Sequence, residues 1–367
     1  SYMSLENLMN WLESLPATEI EKVEVFDVAP ARFDAEGAGG VINVVLKKGA
    51  ALGINGMVGL NLGYGEDYKL VPWVNLNWRQ RKFNFYGSGW FTQNKTFQIY
   101  DNEYIIPSPP IDTNLYDNYA KPQDFYFGMG TRTGLDYYLS KKSTVGFLFM
   151  WYDGGWNMDR LTNTAISGTS LLPYDQLLAL NDQKMTWSGQ TYNINFVHDF
   201  SEKMTISADF DVVHRFNDVD LNLSNNFFLR EQAVDTNLVQ SYATTDNNIL
   251  VGKIDFENEF ENGIAIESGA KVSSVQIKNK IVQNTGNNES NLSYDSTLSN
   301  NFNYTETVYA GYFSGIKKYK SWIFDIGLRA EYTASEGYSI TLDSTNTNNY
   351  FNLFPNIKFD LIFCDPP

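Results

Sequence analysis

Residues 322–332 read WIFDIGLRAEY; their even positions are apolar, and the odd positions from Asp325 onward are glycine or charged. Alternation with a period of two places these two sets on opposite faces of a β-strand. The apolar face is bounded by Trp322 and Tyr332, which lie ten positions apart. At about 3.3 Å per residue and a tilt near 45°, this separation is roughly 23 Å, close to the ~25 Å apolar band of a transmembrane β-barrel. The stretch therefore predicts a membrane-spanning strand.

The same alternation recurs along the rest of the chain after Gly53. In residues 204–212, for example, the even positions are apolar and Thr205, Ser207, Asp209 and Asp211 share the other face. About twelve strands are predicted, starting near Gly53, Leu70, Lys82, Asp124, Ser143, Trp187, Lys203, Asn248, Gly263, Tyr304, Ser321 and Tyr350.

The connections between these strands differ in length in a regular way. Short polar turns are predicted at residues 79–81, 140–142, 201–202, 261–262 and 317–320. Most other connections are predicted to be long loops, at residues 94–123, 153–185, 217–247, 284–303 and 335–349. Short turns on one rim and long loops on the other are typical of outer-membrane barrels. The sequence therefore predicts a mainly β fold, a transmembrane antiparallel β-barrel segment over residues 51–367.

Composition agrees with this class and excludes others. Aromatic residues make up 15% of the chain, which suits a barrel with two interfacial belts. No run of 18 apolar residues occurs, so no transmembrane helix is predicted. The net charge of -16 argues against nucleic-acid binding, which requires a basic surface. A single cysteine, Cys364, excludes an internal disulfide framework.

Candidate catalytic and metal-binding groups have no recognisable arrangement. His198 and His214 lie in separate strands with no cysteine pair nearby, which argues against zinc. Several carboxylates are predicted to line a wet lumen rather than to act as acid–base pairs: Asp209, Asp211, Asp255, Glu257, Asp325 and Glu331. We therefore predict no cofactor, no metal and no enzymatic activity.

The first fifty residues form a different unit. Residues 4–15 are compatible with a short amphipathic helix that Pro16 ends. Alternating strands are predicted at residues 20–26 and 41–46, with a turn-rich segment at 29–40 between them. Residues 1–50 are thus predicted to be a small α+β piece. No basic and apolar signal sequence precedes it, so we expect a processed or truncated start.

The amino-acid sequence of this unit resembles that of a known family. Residues 20–25 (IEKVEV) and 29–45 (APARFDAEGAGGVINVV) look like the end of the plug domain of a TonB-dependent receptor, and the likeness extends over roughly residues 5–49. Residues 304–333 resemble the barrel hairpins of that family, in its Bacteroidetes-type branch. The resemblance implies that residues 1–50 are the C-terminal part of a plug.

The resemblance also implies roles for individual residues. Glu24 would lie in the strand that pairs with arginines of the barrel wall. Gly37, Gly39 and Gly40 would form a compact turn that needs φ > 0 and close backbone approach. Asn43 belongs to the strand that follows this turn. We expect these five residues to seat the plug.

Three departures from the family pattern lead us to expect a fragment cut at both ends. The N-terminal TonB box and the first half of the plug are absent. About twelve strands are present where the family has twenty-two, and the chain does not end on the terminal aromatic of an insertion signal. Because an open sheet edge is not viable in lipid, such a segment should either close as a smaller barrel or fail to insert alone.

The resulting hypothesis is a receptor in the bacterial outer membrane that takes up a siderophore, glycan, peptide or vitamin by TonB-coupled movement of the plug. The expected partners are outer-membrane lipid, TonB and a surface lipoprotein. The alternatives are a passive structural or adhesive barrel without energy coupling, and a soluble all-β binding protein or enzyme.

Overall fold

The computed structural model describes residues 20–26, 31, 41–46, 52–65, 67–108, 112–168, 175–319 and 321–361. The predicted helix at residues 4–15 and the turn glycines Gly37, Gly39 and Gly40 lie outside these ranges. Strands dominate the described part, where no helix is long and apolar enough to cross a bilayer.

The two predicted strands of the N-terminal unit are present and pair with each other. They are β1 (Ile20–Phe26) and β2 (Val41–Leu46), which form an antiparallel two-stranded sheet. The remaining strands form a 15-stranded sheet. They are β3 (Gly53–Tyr64), β4 (Tyr68–Arg79), β5 (Phe83–Phe97), β6 (Tyr100–Ser108), β7 (Asp112–Ala120), β8 (Gln123–Tyr138), β9 (Ser143–Gly168), β10 (Gln176–Ser201), β11 (Met204–Leu229), β12 (Gln232–Glu259), β13 (Ile264–Gly286), β14 (Ser293–Tyr294), β15 (Asn300–Tyr319), β16 (Trp322–Ser339) and β17 (Ser344–Leu361).

The main path of this sheet contains the twelve predicted strands. Each strand pairs antiparallel with its neighbours in the order β17-β16-β15-β13-β12-β11-β10-β9-β8-β5-β4-β3. A mainly β fold built on one large antiparallel sheet is therefore confirmed. Among the described residues β3 and β17 do not pair with each other, so this part of the chain forms an open wall. Closure into a barrel stays a prediction.

The prediction of long loops is wrong for most of the positions named. Residues 153–168, 176–185, 217–229 and 232–247 continue strands β9 to β12, which reach 26 to 28 residues each. Residues 100–108 and 112–120 form the paired strands β6 and β7, and β7 also pairs with β9. Polar residues interrupt both faces of these stretches, which extend beyond the apolar band, so the regular apolar alternation that marks a strand is missing from them.

Cross-strand partners lie on the same face of a sheet, so the register assigns the two faces of the wall. One row of partners crosses the outward face: Phe210, Gly252, Val272, Tyr309, Tyr332 and Phe351. The adjacent positions cross the inward face: Asp209, Lys253, Lys271, Ala310, Glu331 and Asn352. The outward face is an apolar band and the inward face is polar, as the alternation in residues 322–332 predicts.

The inward face is closed tightly by aromatic rings that lie over glycines. Among the described residues, inward-facing aromatic residues directly face a glycine on the next strand at several places, which include Gly59–Trp73, Tyr86–Gly134, Trp90–Gly130, Tyr152–Gly189, Gly154–Trp187 and Gly269–Tyr312. A Cβ added at Gly130 would lie 2.4 Å from Cζ2 of Trp90 and 2.9 Å from the carbonyl oxygen of Trp151. The glycines make room for rings that fill the inner surface of a curved sheet.

The Gly130→Ala substitution should therefore destabilise the wall by about 1–3 kcal/mol, the usual penalty for overpacking. Its effect can be measured as a lower urea midpoint for unfolding from lipid vesicles. Gly311→Ala is the matched control, because a Cβ at this outward position meets nothing within 4 Å. Equal midpoints for the two variants would contradict the proposed packing role.

The connection from β13 to β15 is an ordered extramembrane segment. A single 3-10 turn at Glu289–Asn291 is capped by the side chain of Asn288, which accepts hydrogen bonds from two backbone amides. Further along, hydrogen bonds from the hydroxyl and the amide of Thr297 hold the pKa of Asp295 below its usual value. These local bonds order the segment internally, and its residues Ser293 and Tyr294 pair with β13.

Candidate functional site

The most strongly charged part of the inward face spans β11 to β16. Its members are Asp209, Lys253, Asp255, Glu257, Glu267, Lys271, Tyr312, Arg329 and Glu331, which we term the inner charged patch. Four of the six carboxylates predicted to line the lumen belong to this patch: Asp209, Asp255, Glu257 and Glu331. The two remaining predicted lumen residues, Asp211 and Asp325, lie on the same face of β11 and β16.

The centre of the patch is a network around Tyr312. The hydroxyl of Tyr312 donates a hydrogen bond to Asp255, and Nζ of Lys253 lies 2.6 Å from Oδ2 of the same carboxylate. Gly269 faces Tyr312 across the strand pair, and a Cβ there would lie 2.6 Å from the carbonyl oxygen of Ile254. Glycine at this position lets the ring reach Asp255.

Arg329 joins the wall to the N-terminal unit. Its side chain is only 2% exposed, and its Nε lies 2.5 Å from Oε1 of Glu331. Its Nη1 donates a hydrogen bond of 3.4 Å to the carbonyl oxygen of Ala31. Ala31 also packs against β16, where a Cβ added at Gly327 would lie 3.1 Å from Cβ of Ala31. Ala31 therefore contacts the inward face of the wall, and we call Ala31, Gly327, Arg329 and Glu331 the Arg329 seat.

The five site residues inferred from the resemblance are only partly within the described chain. Glu24 in β1 faces Asn43 in β2, and Lys22 forms an ion pair with Glu24 at 2.7 Å. Lys22 is more than half exposed, so this pair contributes little to stability. Gly37, Gly39 and Gly40 lie outside the described residues. The seating role of these residues stays a prediction.

Sequence reasoning missed the Arg329 seat and the network around Tyr312. Arg329 occurs in the quoted strand as an alternating charged residue, and this pattern alone indicates only an inward position. Its hydrogen bond to Ala31 joins two positions almost three hundred residues apart in the chain. The sequence feature that could have indicated the Arg329 seat was the position of Glu331, two residues after Arg329 and on the same face of the strand.

The patch carries more negative than positive charge. Five carboxylates and three cations give it a formal charge of -2. Two of the carboxylates, Glu257 and Glu267, are direct cross-strand partners. In a water-filled passage, an excess of carboxylates of this kind favours cations over anions. Within the described residues no group of three or more His, Cys, Asp or Glu side chains could hold a metal ion.

Comparison with known proteins identifies one family and several solved structures, which include two toluene transporters. The sequence profile of the Outer membrane protein beta-barrel family matches residues 198–361. No curated protein matches the chain. The toluene transporter TbuX of Ralstonia pickettii is similar at 10% identity, with a TM-score of 0.26, over 79% of this chain and 89% of that one. The toluene transporter TodX of Pseudomonas putida is similar at 8% identity and a TM-score of 0.26, over 78% and 87%. Likenesses at this score do not define a shared fold.

These comparisons confirm the location and correct the resemblance. The match over residues 198–361 places the chain in the bacterial outer membrane, with lipid around its apolar band. The matched family is not the TonB-dependent receptors, so that assignment is wrong, and the expected coupling to TonB falls with it. The assignment to TonB-dependent receptors was based on the short plug-like sequence of residues 20–45, which lies outside the matched region. The matched family is described as an outer-membrane β-barrel, and the lack of enzymatic activity stays a prediction.

Proposed function

We propose that the chain forms the wall of an outer-membrane channel that takes up water-soluble solutes and favours cations. This proposal rests on the difference in polarity between the two faces of the wall. The outward row through Phe210 and Tyr332 is apolar, whereas the inward row beside it holds Asp209, Lys253 and Glu331. Charged side chains on the inner surface suit a water-filled interior and would be unfavourable against lipid.

The N-terminal unit, residues 1–50, adds a second element to this proposal. Through the Arg329 seat it would sit inside the wall and narrow the passage. The hydrogen bond from Arg329 to Ala31 and the close approach at Gly327 support this placement. By this account the wall supplies the path, and the seated segment limits the flow through it.

The experiment is a conductance measurement on the protein in planar lipid bilayers under a salt gradient. We expect single channels with a reversal potential on the cation-selective side. Neutralising the opposed pair with Glu257→Gln and Glu267→Gln should move the cation-to-anion permeability ratio towards one, because the patch then loses its net negative charge. Folding should survive, since the change also removes a like-charge contact across two strands.

Asp235→Asn, close to the tip of the β11–β12 hairpin, is the control and should leave the ratio unchanged. An unaltered ratio in the Glu257 and Glu267 double variant would reject the patch as the selective element. Absence of any conductance from correctly inserted protein would reject the channel itself.

A passive structural or adhesive barrel is the second candidate, and the length of the outer hairpins favours it. Strand β9 continues 17 residues beyond Trp151, the last aromatic residue of its apolar band, and β10 returns over a similar length. Such hairpins would present a large surface to a partner such as a surface lipoprotein. This account predicts tight insertion with no ion flow, so the same bilayer experiment separates the two candidates.

A further inference from the structure

A row of leucines lies on the outward face of the hairpins, well beyond the apolar band. Leu161, Leu180, Ser224 and Leu238 are successive cross-strand partners on β9, β10, β11 and β12. Leu180 lies twelve positions before Tyr192, where the apolar band of β10 begins, and polar residues such as Lys184 and Ser188 lie between them. Leu161 and Leu180 are 51% and 49% exposed. Exposed apolar side chains in contact with water mark an interaction site when they form one patch.

The leucine row borders a cavity of about 960 Å³. The β13–β15 connection lines the same cavity through Glu289 and Leu292. This connection folds onto the outward face, because Gly286 is the cross-strand partner of Leu238 and a Cβ added at Gly286 would lie 2.9 Å from Cα of Leu292. The cavity thus has a floor of strands and a side wall of ordered chain, and its volume is typical of ligand sites.

A polar row runs parallel to the leucines, two positions nearer the membrane on each strand. It consists of Asp159, Asp182, Asn222 and Gln240, all of which line the cavity. Asp159 and Asp182 are direct cross-strand partners, and neither side chain forms a hydrogen bond or ion pair with another described residue. Two carboxylates placed opposite each other repel, and a bound cation would relieve this repulsion.

The two cations that line the cavity interact with aromatic rings. The guanidinium of Arg160 lies 4.7 Å from the ring centre of Tyr100, and Nζ of Lys121 lies 4.5 Å from that of Phe97. The carboxylates at the β9–β10 end are therefore the charges most open to a ligand. At the β11–β12 end, the side-chain amides of Asn222 and Gln240 can both donate to and accept from a peptide group.

We propose that this cavity binds a short apolar peptide that carries a positive charge. The cation would lie against Asp159 and Asp182, and apolar side chains would cover the leucine row. Four strands at about 4.8 Å spacing give a path of roughly 14 Å, the length of about four extended residues. No aromatic side chain lines the described part of the cavity, so the ring stacking that would favour a sugar is missing. The site lies outside the lumen, and binding here does not depend on the proposed channel.

The test uses the full chain in lipid nanodiscs and three synthetic probes in calorimetric titrations. The probes are the N-acetylated amides Leu-Leu-Lys, Leu-Leu-Glu and Ser-Ser-Lys. We expect Leu-Leu-Lys to bind at least about tenfold more tightly than either of the others, because each of them lacks one of the two matching features. Equal binding of Leu-Leu-Glu, or of Ser-Ser-Lys, would overturn the proposal, as would no binding of Leu-Leu-Lys.

Variants locate the binding on the protein. The Asp159→Asn and Asp182→Asn double variant should bind Leu-Leu-Lys about tenfold more weakly than the unaltered chain does. Its weak binding of Leu-Leu-Glu should be unchanged or stronger. Leu180→Ser should weaken both leucine peptides. Asp235→Asn, which lies outside the cavity, should bind as the unaltered chain does. Unchanged affinity in the double variant, with the protein still resistant to unfolding by detergent, would place the peptide elsewhere and reject the site.

Discussion

Replacing Phe210 with arginine is expected to prevent stable insertion of the chain into a bilayer. Phe210 lies on the outward face, 49% exposed, near the middle of the apolar band of β11. An arginine on the lipid face of a barrel strand near the bilayer midplane costs about 2–4 kcal/mol. A loss of this size is a large fraction of the free energy of unfolding of a typical protein.

The measurement is a urea titration of the protein folded into lipid vesicles, together with the fraction of protein recovered in the membrane. Ser207→Arg is the matched control, because Ser207 lies on the inward face of the same strand and faces Asp255. It places the same side chain next to a carboxylate and should leave insertion unchanged. If the two arginines had equal effects, the assignment of the two faces would be wrong.

The order of the strands was predictable from the sequence because lipid imposes a strict alternation. Twelve predicted strands correspond to the twelve of the main path, and the starts at Gly53 and Ser143 agree to the residue. In the apolar band, every second residue faces hydrocarbon, where a polar side chain is energetically unfavourable. The alternation of apolar and polar residues is therefore regular in these stretches. The aromatic limits at Trp322 and Tyr332 lie on the outward face for the same reason.

The outer halves of the strands were not predictable because that constraint ends with the lipid. Beyond the band both faces contact water or polar partners, and stretches such as residues 217–229 read as a polar loop. The β11–β12 turn adds to the difficulty, since Arg230 and Glu231 adopt positive φ values of 50° and 66° without a glycine. Turns of this kind usually carry Asn-Gly or a similar pair, so the usual signal for a tight hairpin is missing.

The candidate sites were hidden for a related reason. The inner charged patch and the leucine row each combine residues from several strands, and their neighbours are set by register rather than by sequence distance. Asp159 and Asp182 become partners only once β9 and β10 pair in one register. The plug-like motif, in contrast, consists of residues close together in the sequence and is easily recognised. It carries little information about the wall, and for this reason it led to the wrong family.

The Arg329→Ala substitution should have the largest effect of all on stability. It leaves the carboxylate of Glu331, only 15% exposed, without its ion-pair partner at 2.5 Å. Breaking a buried pair from one side typically costs about 3–5 kcal/mol, because an uncompensated charge remains in a poorly solvated place. The same change removes the donor to the carbonyl of Ala31. We therefore expect both a lower urea midpoint and a loosened N-terminal unit.

Two readouts distinguish these consequences. The Arg329→Ala and Glu331→Ala double variant removes both charges and should recover most of the urea midpoint, since the carboxylate of Glu331 is removed together with its ion-pair partner. It should not recover the seat, so trypsin should still cut faster at Arg32 or Lys47 than in the unaltered protein, and bilayer conductance should still be raised. Arg329→Lys keeps the positive charge, and its urea midpoint should lie between those of Arg329→Ala and the unaltered protein. If the double variant regained protection from trypsin as well, Arg329 would serve the wall alone, and the segment around Ala31 would be held by other contacts.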